Sequence, residues 1–345
     1  MKMKRLMAAM MAGTMAFSLT ACGGGSSAPA DTGADAGASA DAAADAGSEA
    51  KGYNISVILK TTSSEYWGYV VAGANAYMAA HPEIKVEVKG ATSETAYDEQ
   101  QNLIETDMNN GSIDGYVIAP LQADMVKTMI AGQTKPIVAV DTNIEAPEVI
   151  SFVGTGNEAA GEMGGKAAVE AAKAAGWTEI KAIEICGVQG DATNEARKAG
   201  YMKGVNGAGG EFLEGETQYA DAVADKAVNC MEAIMQNHPE GIAIICANND
   251  DMAMAAARAA KGNKAYEKTI FLGFDGIQSA CNAILKGELT MSVAQQAYEM
   301  GYKSVETVVA ALNGESVEAF VDAGCAVVDS SNAQERLDTL KGYLA

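Results

Sequence analysis

The stretch Ile242-Ala243-Ile244-Ile245-Cys246-Ala247-Asn248-Asn249-Asp250-Asp251 sets an apolar run against a block of amides and carboxylates, and an alanine-rich segment then continues to Lys261. A short β-branched run, a polar turn and a longer helical stretch read as strand, turn and helix. The same order recurs along the chain from Tyr53. Further strand candidates are Ile55 to Leu59, Val86 to Val88, Tyr116 to Ala119, Ile137 to Val140, Ile183 to Cys186, Ile270 to Phe274 and Met291 to Ala294. Helical stretches fall between them at Tyr66 to Ala80, Glu94 to Asn109, Glu158 to Ala175, Ala222 to Asn237 and Asp251 to Lys261. Such alternation implies βαβ units and parallel sheets covered by helices on both faces. A single core stops growing at about 250 to 300 residues, and this chain has 345. The expected fold is therefore α/β, with two doubly wound parallel-sheet lobes.

In open parallel sheets the ligand crevice lies beyond the carboxyl ends of the strands, so the polar residues that end each run are the candidate site. They are Lys60 to Ser64 with Tyr66-Trp67 after the first strand, Asp141 after Ile137 to Val140, and Asn248, Asn249 and Asp250 after the quoted run. Asp275 follows Phe274, Gln295 follows Ala294, and Arg197 lies on the helix after the Cys186 strand. Aromatic faces suit the apolar C–H surfaces of a small polyhydroxylated molecule, and Asp, Asn, Gln and Arg suit its adjacent hydroxyls. Other roles stay open for each residue. Tyr66-Trp67 could form the core face of a helix start, Asp275 could cap the next helix, Arg197 could be a solvated charge, and Lys60 could extend its stem out of the cleft.

Charge narrows the function classes. With 24 Lys plus Arg against 45 Asp plus Glu, the formal charge is −21, and such a chain offers no basic patch to a phosphate polymer. Lys2, Lys4 and Arg5 precede an uncharged run from Leu6 to Leu19, the pattern of an export signal. The run ends in Leu19-Thr20-Ala21-Cys22, which resembles a bacterial lipobox and implies a lipid on Cys22 after removal of residues 1–21. After the lipidated Cys22, residues 23–52 carry no side chain able to build a core, so residues 22–52 are expected to form a disordered tether spanning about 30 Å. Apart from the N-terminal run, no apolar segment approaches the ~20 residues that cross a bilayer.

Catalytic arrangements are missing. The two histidines, His81 and His238, each precede a proline and read as helix stops. There is no G-x-S-x-G or P-loop, and Gly154-Thr155-Gly156 fails the dinucleotide spacing because the next glycine is Gly161. Cys186, Cys230, Cys246, Cys281 and Cys325 form neither a C-x-x-C pair nor an even set, so a zinc site or disulfide framework is not expected. Neither metal nor cofactor is implied.

The ordered motifs Val57-Ile58 with Tyr66-Trp67-Gly68, Ile118-Ala119-Pro120, Val138-Ala139-Val140-Asp141, Arg197-Lys198-Ala199-Gly200-Tyr201, Asn249-Asp250-Asp251-Met252-Ala253, Gly273-Phe274-Asp275-Gly276 and Val293-Ala294-Gln295 carry a resemblance. Over residues 53 to 330 the chain resembles the periplasmic sugar-binding proteins related to the ribose-binding protein. That resemblance implies a periplasmic binding protein of type 1, a non-enzymatic monomer whose lobes are joined by three crossovers and close on ligand by hinge motion. It implies an N-terminal lobe of residues 53–155 plus 296–325 and a C-terminal lobe of 156–295 plus 326–345. Carried over residue by residue, it assigns sugar contacts to Ser64, Tyr66, Trp67, Asp141, Arg197, Asn249, Asp275 and Gln295. Lys60 and Thr142 join them at positions where this sequence departs from the pattern: Lys60 replaces a small polar residue and Thr142 an arginine. Glu65 replaces a proline, and Gly156 stands where an aspartate often precedes the residue matched by Asn157.

The implied partners are a small carbohydrate and the permease subunits of an ABC transporter, with the protein held by lipid at the outer face of the cytoplasmic membrane. A polyol, a sugar acid or an autoinducer-2-like furanose is the alternative ligand. A glycosidase using Asp141 and Asp275 is a distant alternative. A sugar-responsive repressor would need a DNA-binding segment where this chain has a signal and tether.

Overall fold

The computed structural model describes residues 51–344, so the expected signal, Cys22 and most of the tether lie outside the described residues. The first five strands are β1 (Tyr53–Thr61), β2 (Ile84–Ala91), β3 (Gly115–Ile118), β4 (Ile137–Val140) and β5 (Val149–Gly154). Between them run α1 (Glu65–Ala80), α2 (Tyr97–Met108) and α3 (Ala123–Met129). The chain then crosses into α4 (Asn157–Ala174) and a second set of strands. These are β6 (Lys181–Cys186), the short β7 (Glu211–Phe212) and β8 (Gln218–Tyr219), β9 (Ile244–Ala247), β10 (Ile270–Asp275) and β11 (Met291–Gln295). Their helices are α5 (Ala192–Gly207), α6 (Ala224–Asn237), α7 (Asp250–Ala260) and α8 (Gln278–Leu285). A second crossover leads to α9 (Ala297–Leu312) and β12 (Phe320–Asp322), and a third to β13 (Cys325–Val328) and α10 (Ala333–Tyr343).

Two sheets result, in the orders β12-β5-β4-β3-β1-β2 and β13-β11-β10-β9-β6-β7, with β8 paired to β6. All pairings are parallel except β11 with β13, which is antiparallel. Each sheet reverses its strand order once, between β1 and β3 in the first and between β6 and β9 in the second. Such a switch point is where a doubly wound sheet opens a crevice. Register places Ile58 opposite Ile118 and Ile185 opposite Ala247, so the paired strands end together at that crevice. Val57, Ile58 and Leu59 are all fully buried, because helices cover both faces of the sheet, and this explains why the strands read as unbroken apolar runs.

Three features differ from the sequence expectation. Strand β5 was not among the candidates; its Ser151 is buried and breaks the apolar pattern. Edge strands β12 and β13 are three and four residues long, too short to register as periodic segments. Helix α2 starts at Tyr97 rather than Glu94, which leaves Glu94 in the loop before it. Histidines 81 and 238 do follow the last residues of α1 and α6. All five cysteines of the described residues are free thiols, three of them buried.

Helix α5, which carries Arg197, lies so close to α4 that glycines face each other across the contact. A Cβ added at Gly161 would sit 2.6 Å from the Arg197 carbonyl oxygen, and one added at Gly200 would meet the Glu158 carbonyl. Alanine is the better helix former by about 1 kcal/mol, but overpacking against backbone costs about 1–3 kcal/mol. Gly161→Ala is therefore expected to lower the stability of the fold while pushing Arg197 away from its neighbours. Urea unfolding checks this, and a variant more stable than the parent would contradict the close packing.

Candidate functional site

The carboxyl ends of the two sheets face a common cleft of about 260 Å³. Ser64 begins the first wall as the cap of α1, with extended backbone and a hydroxyl that accepts the Trp67 N–H at 3.5 Å. Capping fixes the first turn of the helix and points Tyr66 and Trp67 inward, where their rings meet edge to face at 5.2 Å. The Tyr66 hydroxyl donates to Asp141 Oδ1 at 2.7 Å, and the Trp67 indole donates to Glu94 Oε1 at 3.0 Å. Both aromatic residues are buried yet line the cleft, so they serve the core and the site together.

Asp141 follows β4 and Asp275 ends β10, with φ of 63° and 117°. Asp221 and Ala222, at 50° and 60°, are the only other non-glycine residues with positive φ among the described residues, and all four line the cleft. Such conformations cost about 1–3 kcal/mol each and gather at functional sites. Arg197 forms the opposite wall. Its Nε donates to Asn157 Oδ1 at 2.9 Å, its Nη1 donates to the Asn248 carbonyl at 2.7 Å, and its guanidinium lies 3.8 Å from the Phe274 ring centre. Nη1 is also 3.9 Å from Asp275 Oδ1. Asn249 lines the cleft while its Oδ1 caps α7 by accepting the Met252 N–H at 2.8 Å.

Of the ten candidate residues within the described chain, eight line this cleft: Lys60, Ser64, Tyr66, Trp67, Asp141, Arg197, Asn249 and Asp275. The other two stand behind the carboxylates. Gln295 Nε2 donates to Asp275 Oδ1 at 2.8 Å, and the Thr142 hydroxyl donates to Asp141 Oδ2 at 2.9 Å. Thr142 itself faces an outer groove. Lys60 does not extend out of the cleft; its ammonium is buried against Asp191 at 2.7 Å.

Sequence reasoning passed over Glu94, Thr193, Asn194 and Asp221, which line the cleft along with Asn248. Asn248 stood in view as the first residue after the β9 run. Its Oδ1 accepts the Gly187 N–H at 2.9 Å and its Nδ2 donates to Glu184 Oε1 at 2.6 Å. The Asp191–Asn194 pair was legible only as a helix start.

Burial dominates the electrostatics. It raises Asp275 well above the usual carboxylate range; Arg197 opposes the rise and the neighbouring Asp250 adds to it. Glu94 is raised by burial against the opposing pull of Lys60 and Trp67. Burial works against the charges on Lys60 and Asp191 too, but their attraction wins: Lys60 is held protonated above its ordinary value and Asp191 below.

Beneath the cleft, burial also pushes Glu184 well above the ordinary range, and its Oε2 has no hydrogen-bond partner. A carboxyl raised in the folded state contributes stability that is present below its unfolded pKa and lost as pH rises through the raised value. The parent chain should thus lose stability as pH climbs from the ordinary carboxylate range to neutrality and above, and Glu184→Gln should flatten that loss. Urea midpoints at both ends of the range test this; parallel pH profiles for the two proteins would refute it.

Comparison with known proteins places this geometry. A family model described as a periplasmic binding protein domain matches residues 55–316. The ribose import binding protein of Escherichia coli K12 is 31% identical over 206 residues, covering 59% of this chain and 67% of that protein. The D-allose-binding periplasmic protein of the same organism is 30% identical over 264 residues, covering 74% and 83%. Among solved structures, an ABC transporter solute binding protein from Agrobacterium vitis with bound D-fucose has a TM-score of 0.74 at 26% identity, covering 84% of this chain and 98% of that one. One from Mycobacterium smegmatis with bound glycerol has a TM-score of 0.73 at 29% identity, covering 82% and 96%. The chain, with its two parallel sheets facing one polar cleft, belongs to the periplasmic binding protein domain family.

Proposed function

We propose that the protein is an extracytoplasmic solute receptor that captures a small sugar between its lobes and delivers it to the permease of an ABC transporter. The observation that carries this reading is the convergence of Asp141, Tyr66 and Trp67 from the side of the first sheet with Asp275, Arg197 and Asn249 from the side of the second on one cleft. Its volume of about 260 Å³ falls below the roughly 300–1,000 Å³ of pockets for drug-sized ligands, which suits a single sugar ring. Trp67 supplies an apolar face for C–H bonds, and the carboxylates and guanidinium supply paired hydroxyl contacts. Relatives named for ribose and allose support the same class. The protein is a binder rather than an enzyme: its cleft carboxylates are held by Tyr66, Thr142 and Gln295 and serve as acceptors for hydroxyl groups. Ligand touching both lobes favours the closed state and shifts the population toward it. That closed form, recognised on both lobes at once, is what a permease would read, with energy supplied by a separate ATPase subunit.

Thermal shift across monosaccharides, polyols and sugar acids identifies the ligand, since a ligand at 100 times its Kd stabilises the fold by about 2.7 kcal/mol. With that ligand, Asp275→Ala and Arg197→Ala should each cost about 2–4 kcal/mol of binding by leaving buried polar groups unpaired. Trp67→Ala should weaken binding as well. Calorimetry decides, and three folded variants of unchanged affinity would remove the sugar-site assignment.

The charged start, the Leu6 to Leu19 run and Leu19-Thr20-Ala21-Cys22 support attachment of the exported protein to the membrane through a lipid on Cys22. In cells, Cys22→Ala should release the protein or leave it unprocessed. A variant that is cleaved normally and still sediments with membranes would count against the anchor.

A further inference from the structure

The two lobes touch through their own atoms as well as across the cleft. Lys60 Nζ, on β1, donates to Asp191 Oδ2 at 2.7 Å, and each side chain is only 5% exposed. Nearby, the hydroxyls of Thr142 and Thr193 lie 2.8 Å apart. A third contact ties Glu65 of α1 to the start of α8, where its Oε1 accepts the Gln278 N–H at 2.6 Å. None of these bonds requires a ligand.

The first two contacts occupy a particular place. Lys60 and Thr193 line the 260 Å³ cleft, whereas Asp191 and Thr142 line an outer groove of about 640 Å³. Each bond thus joins a residue of the cleft to a residue of the groove, and together they form the wall between the two. Asp191 is also the cap of α5, accepting the Asn194 N–H at 2.9 Å. Whatever holds Asp191 therefore holds the helix that presents Arg197, and sets it against β1 and β4.

Burial costs both charges hydration, but their mutual attraction outweighs that loss and holds Lys60 and Asp191 in their charged forms. When the lobes part, both charges return to water, so the pair behaves as a reversible contact and not as a permanent weld. We propose that Lys60 and Asp191 form a latch that closes the lobes over the cleft before ligand arrives, and that Lys60 is a positioning residue acting on the ligand through Asp191. This rests on the sugar-site reading for its effect on affinity, but closure of the ligand-free protein does not depend on that reading.

The latch gives a kinetic signature distinct from that of a ligand contact. A latched receptor admits ligand only when it opens. Removing the latch should raise the association rate and raise the dissociation rate further. Affinity then falls by about tenfold if the closed fraction falls to about one in ten. Loss of a direct ligand contact would instead raise the dissociation rate alone.

Double electron–electron resonance on the full chain tests closure without ligand. Spin labels on non-natural residues at Gln122 and Gln189, exposed on either side of the outer groove, report its width. The ligand-free parent should give a single short distance. Lys60→Met, which keeps the apolar stem, and Asp191→Asn, which keeps a capping oxygen, should each add a longer one. Distributions in both variants identical to the parent's would overturn the latch. Stopped-flow tryptophan fluorescence with D-ribose and D-allose then reads the rates. An unchanged association rate with faster dissociation in Lys60→Met would show that Lys60 touches the sugar and would overturn the positioning role. If neither sugar binds the parent, the ligand assignment is at fault, and the resonance distances still decide the latch.

Discussion

A parallel sheet with helices on both faces has no room for polar chemistry except at the ends of its strands. Every other feature of the molecule follows from that constraint. Val57, Ile58 and Leu59 are closed off from water, so β1 can offer polar groups only once it reaches Lys60 and Thr61. Strands β4, β9 and β10 likewise deliver Asp141, Asn248 and Asp275 at their last residue or the one after it. Two such sheets facing one another concentrate all of these groups in one cleft, and the helices that begin there bring their unpaired N–H groups to the same place. Ser64, Asp191 and Asn249 are spent partly on those N–H groups, which makes the caps and the site one structure.

Crowding carboxylates at strand ends has a cost that the fold meets in two ways. Backbone strain at Asp141 and Asp275 aims their side chains, and each carboxylate is then tied by a neighbour, Thr142 or Gln295. Arg197 is tied twice over, by Asn157 and the Asn248 carbonyl, and rests on Phe274. Groups held this firmly lose little further rotamer freedom when a ligand arrives, so more of each hydrogen bond is realised as affinity.

How much of this was legible in sequence depended on distance along the chain. Strand, turn and helix are local patterns, so the quoted run around Asn249 and its repeats were enough to give two doubly wound lobes. Part of the cleft lining was legible for the same reason: Lys60, Asp141, Asn248, Asn249 and Asp275 stand at or just after the ends of apolar runs. Strand β5 was hidden by the buried Ser151, and β12 and β13 exist only because the crossovers lay short segments along sheet edges. Glu94 was read into a helix and turned out to lie before it, against Trp67. Thr142 and Gln295 were expected to touch ligand, whereas their side chains bond Asp141 and Asp275 from behind the cleft lining, a difference of side-chain direction that spacing does not encode.

Lys60 is the clearest case of what local pattern cannot hold. Its partner Asp191 is 131 residues away on the other lobe, and nothing in either neighbourhood announces the other. A lysine at the end of β1 reads as a ligand contact or as a charge that escapes to solvent, and pairing across the cleft is a third outcome that only the folded chain creates. The same arrangement separates two properties that a receptor must set independently. On the proposed reading, groups such as Asp275 and Arg197 decide what is bound, while contacts between the lobes decide how often the cleft is shut. Because an apparent affinity is the product of the two, a change at one cross-lobe bond can move the working concentration range of the receptor and leave its choice of ligand intact.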